Sequence, residues 1–232
     1  MKKKIVVVAY HIGRVGSSAL MGILKLGGLN AGESNRLTPP APMNPKGFFE
    51  LKRQNRFLGE TFKGFYPDIT DPPPLDVVIE KGKLFHQDYR RLLNDELGDV
   101  FPYVVKAQRF LVLSFLHHLQ QEYEIKVIVI SRNEHEQVLS ILRVWKKNVL
   151  DPVFRDATYD FVLAYIRKWK EFSRHFMESF PFEYYHVSFE DLIRHGRLEV
   201  DRIFAFIGEK PPSPGAAAQW LDVSLVNRPH YD

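Results

Sequence analysis

Cysteine is missing from the 232-residue sequence, which excludes disulfide bridges, thiolate nucleophiles, Cys-ligated zinc and iron–sulfur clusters. Long hydrophobic runs are missing as well. The first apolar run, Ile5 to Tyr10, follows Met1-Lys2-Lys3-Lys4 and gives way to His11 and Arg14. It is too short for a signal core and far too short for a membrane span, so a soluble, cytoplasmic protein is the expectation. Strong charge of one sign is absent: 32 basic and 28 acidic residues leave a formal +4. That balance suits an anionic ligand, and because the basic residues are interleaved with acids, no nucleic-acid partner is expected. Neither His117-His118 nor Glu134-His135-Glu136 has the spacing of a metal site, so no metal is expected. There is no internal repeat or low-complexity tract.

Hydrophobic residues make up 45% of the chain and charged residues 26%, which is globular usage. Four β-branched, apolar runs read as buried strands: Ile5 to Tyr10, Tyr103 to Lys106, Lys126 to Ile130 and Glu183 to Val187. Between and after them lie helical stretches at Ser17 to Leu26, Leu51 to Phe62, Leu84 to Leu97, Leu111 to Tyr123, Glu134 to Lys147, Tyr159 to Ser179 and Leu198 to Ile207. This alternation predicts an α/β fold, three-layer α/β/α around a mostly parallel central sheet. One domain over 1–232 is expected, with a lid-like insertion around 35–83. That insertion carries prolines at 39, 40, 42 and 72–74, together with Phe48, Phe49, Phe57, Phe62, Phe65 and Tyr66. Loops of such length in a compact domain usually cover a site or are disordered, and the aromatic content favours a lid over a floppy linker.

The most informative stretch runs from Ile5 to Leu20. A buried strand enters a loop, His11-Ile12-Gly13-Arg14-Val15-Gly16, and then a helix that opens on Ser17-Ser18 and stops at Gly27-Gly28. Such a turn aims backbone N–H groups and a helix N-terminus at one point, which makes an anion site. Arg14 adds charge, and the hydroxyls of Ser17 and Ser18 add donors. An ordinary strand–helix connection, with Gly13 and Gly16 serving only the turn, is the bland alternative. The spacing matches neither G-x-x-x-x-G-K-[ST] nor G-x-G-x-x-G. Downstream, Lys126 to Ser140 is a strand ending in Arg132, followed by a helix whose Asn133 and Glu136 fit a capping box. On that helix Val138, Ile141, Leu142 and Trp145 form an apolar stripe, with Ser140 on another face.

Arg14-Val15-Gly16-Ser17-Ser18 resembles the 5′-phosphosulfate loop of sulfotransferases, [K/R]-x-G-[T/S]-[S/T]. Arg132 with Ser140 resembles that family's 3′-phosphate site. Asn44-Pro45-Lys46-Gly47-Phe48-Phe49-Glu50 resembles an N-P-[KR]-G-[YF]-[FW]-E segment of its bacterial-type branch. Tyr103 to Arg109 is similar to its K-D-P-R strand end, with Ala107-Gln108 in place of Asp-Pro. His186 to Leu192, followed by Ile203 to Gly208, resembles its V-x-[YF]-E-D-L…F-L-G block. Together these matches span most of the chain.

The resemblance implies a P-loop-like fold and an enzyme that moves the sulfuryl group of 3′-phosphoadenosine 5′-phosphosulfate (PAPS) to a hydroxyl or amine of a small molecule or saccharide. The product nucleotide is then 3′-phosphoadenosine 5′-phosphate (PAP), and no metal is needed. Gly13, Arg14, Val15, Gly16, Ser17 and Ser18 would hold the 5′ end, and Arg132 and Ser140 the 3′-phosphate. Arg228 is a late basic residue of the kind that reaches the same phosphate. Ala19 stands where many members carry an adenine-stacking Trp, which makes Phe189 the candidate for the base. Arg14 would neutralise the leaving phosphate and Lys106, with Arg109 nearby, would steady the transferring group. Glu50, Glu33 and His11 are the candidate bases. Each has a plain alternative: a helix-start charge, a solvated loop acid and a satisfied strand-end histidine. An ATP-dependent small-molecule kinase and a non-catalytic nucleotide-binding domain stay open as other readings, and oligomeric state is not legible.

Overall fold

In the computed structural model, which describes residues 2–41, 44, 47–65, 71–147, 156–213, 215–216 and 221, the four apolar runs are strands. They are β1 (Lys3–Tyr10), β2 (Tyr103–Gln108), β3 (Tyr123–Ser131) and β4 (Glu183–Ser188). Their order in the sheet is β2-β1-β3-β4, and every pairing is parallel. Ile5 through Tyr10 are consecutively buried, at 0–1% exposure. A strand without a solvent face must be covered on both sides. The covering helices are α1 (Ser17–Leu26), α2 (Lys52–Thr61), α3 (Leu75–Leu97), α4 (Leu111–His117), α5 (Glu134–Lys147), α6 (Tyr159–Ser179) and α7 (Phe189–Ile207). The expected three-layer α/β/α class is the one observed. None of the described helices is long and apolar enough to cross a membrane.

Several boundaries differ from the sequence expectation. Helix α3 begins at Leu75, directly after Pro74, and runs through Gly82. A Cβ at Gly82 would sit 2.5 Å from the Ser114 carbonyl oxygen. The glycine marks a close crossing with α4, not a break. Helix α4 ends at His117, and the chain re-enters the sheet by Tyr123. Helix α7 begins at Phe189, because Ser188 caps it by accepting from Asp191 N at 3.0 Å, and it kinks at Gly196.

The capping box at α5 forms only by half. Glu136 N donates to Asn133 Oδ1 at 3.3 Å, but the Glu136 carboxylate turns to the Arg132 guanidinium, 3.5 Å away. A full charge attracts it more strongly than a neutral N–H does. Glu190, from α7, takes its place and accepts from Asn133 N at 3.1 Å.

With β1 and β3 adjacent and parallel, the loops that leave them emerge side by side at the carboxyl edge of the sheet. Open α/β sheets form their ligand clefts at this edge. The segment after β1 and α1 returns across the same edge, where Leu37 bridges to Leu51 and Thr38 N donates to Glu50 O at 2.8 Å.

Candidate functional site

Helix α1 starts at Gly16, held at φ 85°, with no side-chain cap and no acidic residue in its first turn. Its positive end is therefore not neutralised locally. Arg14 adopts φ 71°, a left-handed conformation that costs a non-glycine residue about 1 kcal/mol. The arrangement is held by its neighbours. Arg14 Nε donates to Ser140 Oγ at 3.1 Å, and Arg132 Nη1 donates to the Arg14 carbonyl at 3.3 Å. The three residues expected to grip two phosphates are thus in direct contact before any ligand is considered. Burial lowers the Arg14 pKa, and the charges of Arg132 and Arg143 lower it further. Arg132 is lowered by burial, with Glu136 and Glu190 opposing and Arg143 adding to the effect. Cationic groups that press on one another in this way form an electrostatic basin for an anion.

Arg132 has a side chain only 10% exposed, and its buried Nε meets no acceptor among the described residues. Its guanidinium stacks 5.3 Å from the Phe189 ring. Gly16 packs close to that ring as well: a Cβ there would lie 2.1 Å from Phe189 Cδ2. Phe189, at 9% exposure, thereby stands between Arg132 and the start of α1. Val15, Ser17 and Ser140 are buried within the loop region. Arg228 lies outside the described residues.

A second cluster stands beside α1. Lys106, 3% exposed, leaves β2 and donates from Nζ to Ser18 Oγ at 3.0 Å. Asn44 Nδ2 reaches the same hydroxyl at 2.9 Å. Glu50 Oε1 lies 3.6 Å from Lys106 Nζ and accepts from Tyr10 OH at 3.2 Å, while Asn55 Nδ2 contacts Oε2 at 3.4 Å. Burial pulls the Lys106 ammonium down to about 8, Glu50 opposes that shift and Arg14 adds to it. The structure therefore brings Glu50, Lys106, Ser18 and, through its field, Arg14 into one neighbourhood. An amine near 8 beside a carboxylate is equipped both to donate to an anion and to exchange protons near neutral pH.

The side chains of the remaining candidates make other contacts. Glu33 has a side chain 71% exposed and pairs with Arg36 at 3.8 Å; none of its contacts among the described residues reaches the phosphate loop. His11 is buried, with Nε2 3.2 Å from Gln137 Oε1. Burial, aided by Lys170, pulls it down to about 4, so it is uncharged at neutral pH in the manner of a satisfied strand-end histidine. Arg109 turns into the core, donating to Tyr165 OH at 2.8 Å and stacking 4.7 Å from the Trp169 ring.

Sequence reasoning missed two supporting residues. Gln137, fully buried, donates from Nε2 to the carbonyls of Ile12 at 3.2 Å and Gly13 at 3.0 Å, which fixes the mouth of the loop. Tyr10 is the last residue of β1 and the donor to Glu50. Nothing in their local pattern marks either one. Among the described residues no group of three or more His, Asp or Glu side chains is placed to hold a metal ion.

No protein-family model and no curated protein matches the chain. Among solved structures it is similar to the sulfotransferase domain from the curacin biosynthetic pathway. The identity is 14% and the TM-score 0.49, over 95% of this chain and 78% of that one.

Proposed function

We propose that the protein is a sulfotransferase that takes PAPS as donor and a hydroxyl or amine of a small molecule or saccharide as acceptor. The observation that carries this reading is the contact of Arg14, in the loop after β1, with Ser140 of α5 and with Arg132 at the end of β3. In this reading the start of α1 takes one phosphate and Arg132, before α5, takes the other. A nucleotide with phosphate at both the 5′ and 3′ positions matches that pair. Arginine suits both positions because its planar fork meets two phosphate oxygens at once.

The Lys106–Glu50 cluster completes the chemistry. The acceptor oxygen attacks sulfur while its proton passes to the Glu50 carboxylate. The bond between sulfur and the bridging oxygen breaks, and its electron pair stays on the 5′-phosphate of the departing PAP. Arg14 and Lys106 face the charge that gathers there, the arrangement that group transfer of this kind requires. Glu50 serves as base better than Glu33, which is solvated and engaged with Arg36.

Thermal shift tests the donor. PAP should raise the melting temperature, and ATP with Mg²⁺ should leave it unchanged; a protein at 100 times its Kd of ligand gains about 2.7 kcal/mol. Stabilisation by ATP with Mg²⁺ and not by PAP would establish the kinase reading instead. PAP binding without transfer of label from [³⁵S]PAPS to any of a panel of phenols, amines and sugars would favour a non-catalytic nucleotide-binding domain.

A further inference from the structure

Tyr10 is 1% exposed and ends β1 immediately before the phosphate loop. Its hydroxyl reaches Glu50 Oε1 at 3.2 Å, and its ring lies 5.8 Å from Lys106 Nζ. The same Oε1 is the atom nearest Lys106, at 3.6 Å. A carboxylate and an ammonium left to themselves close to about 2.7–2.9 Å. Here the pair is held at 3.6 Å, still an ion pair but longer than that, while the ammonium donates a hydrogen bond to Ser18 Oγ at 3.0 Å. On the other side Asn55, from α2, contacts Oε2 at 3.4 Å.

We infer that Tyr10 is a positioning residue: its hydroxyl holds the Glu50 carboxylate off Lys106, so that the acid stays open to an acceptor proton and the amine stays turned to the phosphate loop. The inference rests on the sulfuryl-transfer reading for its catalytic meaning, and on geometry alone for the spacing itself. Among the described residues the charged and titratable groups that face Lys106 are Glu50, the Tyr10 ring and hydroxyl, and Arg14 of the loop; Ser18 faces it from α1. If the hydroxyl is removed, Oε1 has no competing donor on that side and closes on the ammonium. The closed pair steadies the charged form of Lys106 and withdraws both groups from the reaction.

The test is NMR titration of the lysine side chains in the whole protein with ¹³Cε labelling, the Lys106 signal being assigned by its loss in Lys106→Met. In Tyr10→Phe the Lys106 midpoint should rise by roughly one pH unit. In the Glu50→Gln background the same change at Tyr10 should move it little, since the closing carboxylate is gone. An equal midpoint in wild type and Tyr10→Phe, or the same rise with Glu50→Gln present, would overturn the inference. PAP affinity of Tyr10→Phe should match wild type, with transfer from PAPS slowed about tenfold at an unchanged KM for PAPS, a split that a merely structural role would not give. The two claims fail separately. Loss of PAP stabilisation in the wild type sinks the sulfuryl-transfer reading, whereas an unmoved Lys106 sinks the role of Tyr10.

Discussion

Replacing Gly16 by alanine tests how closely the start of α1 is packed against Phe189. The residue sits at φ 85°, and its new Cβ would lie 2.1 Å from Phe189 Cδ2 and 2.5 Å from Cε2. The left-handed backbone costs about 1 kcal/mol with a side chain present, and forcing an aromatic ring from a packed site costs about 1–3 kcal/mol more. The sum is roughly 2–4 kcal/mol, which for a chain of this size lowers the melting temperature by roughly 5–15 °C. Arg132 stacks on the displaced ring, so, under the proposed function, Gly16→Ala should also weaken PAP binding through Arg132. Scanning calorimetry with and without PAP reads both effects. Phe189→Ala is destabilising by itself, but combined with Gly16→Ala it should give less than the sum, because the clash has been removed. A variant melting within about 2 °C of wild type, or strict additivity with Phe189→Ala, would refute this packing.

Two further outcomes follow from the buried polar groups. Lys106 stands at about 8 in the folded chain against 10.5 unfolded. Between those values the unfolded chain binds more protons, so stability should rise with pH from 8 to 10.5. Lys106→Met should lose that rise, which urea midpoints at pH 7.5 and 10 will show; parallel slopes for the two proteins would refute it. Gln137→Leu strands the Ile12 and Gly13 carbonyls and the His11 ring. It should cost roughly 2–4 kcal/mol in urea unfolding and weaken PAP binding, and an unchanged midpoint would show that the loop needs no brace.

The sheet was legible because parallel strands buried on both faces write themselves as unbroken apolar runs, as Val6-Val7-Val8 does. The turn from β1 into α1 was legible because Gly13, Gly16, Ser17 and Ser18 lie within six residues between an apolar run and an amphipathic stretch. What escaped notice depends on side chains meeting across the fold. Gln137 reads as a solvated position on an amphipathic helix until β1 and its loop lie against it. Tyr10 reads as one more core residue of a strand, since the pleat alone does not announce that its hydroxyl meets Glu50. Gly82 falls outside the helix expected from Leu84 because the backbone of Ser114, which demands its missing Cβ, is thirty-two residues away in sequence. Glu136 matches a local capping rule and was diverted by Arg132, a charge just outside the helix.

The borrowed cap at Asn133 bears on the order in which the chain assembles. Its amide is satisfied by Glu190, fifty-seven positions further on. During synthesis, a nascent polypeptide that has emerged only as far as β4 has all four strands, the glycine turn and α5 in hand, yet the Glu190 carboxylate that Asn133 N needs and the Phe189 ring on which Arg132 stacks are still inside the ribosome. The carboxyl edge of the sheet is therefore finished only when α7 appears, and shortened chains that stop before it should keep the sheet and leave Asn133 N and the Arg132 guanidinium without these partners.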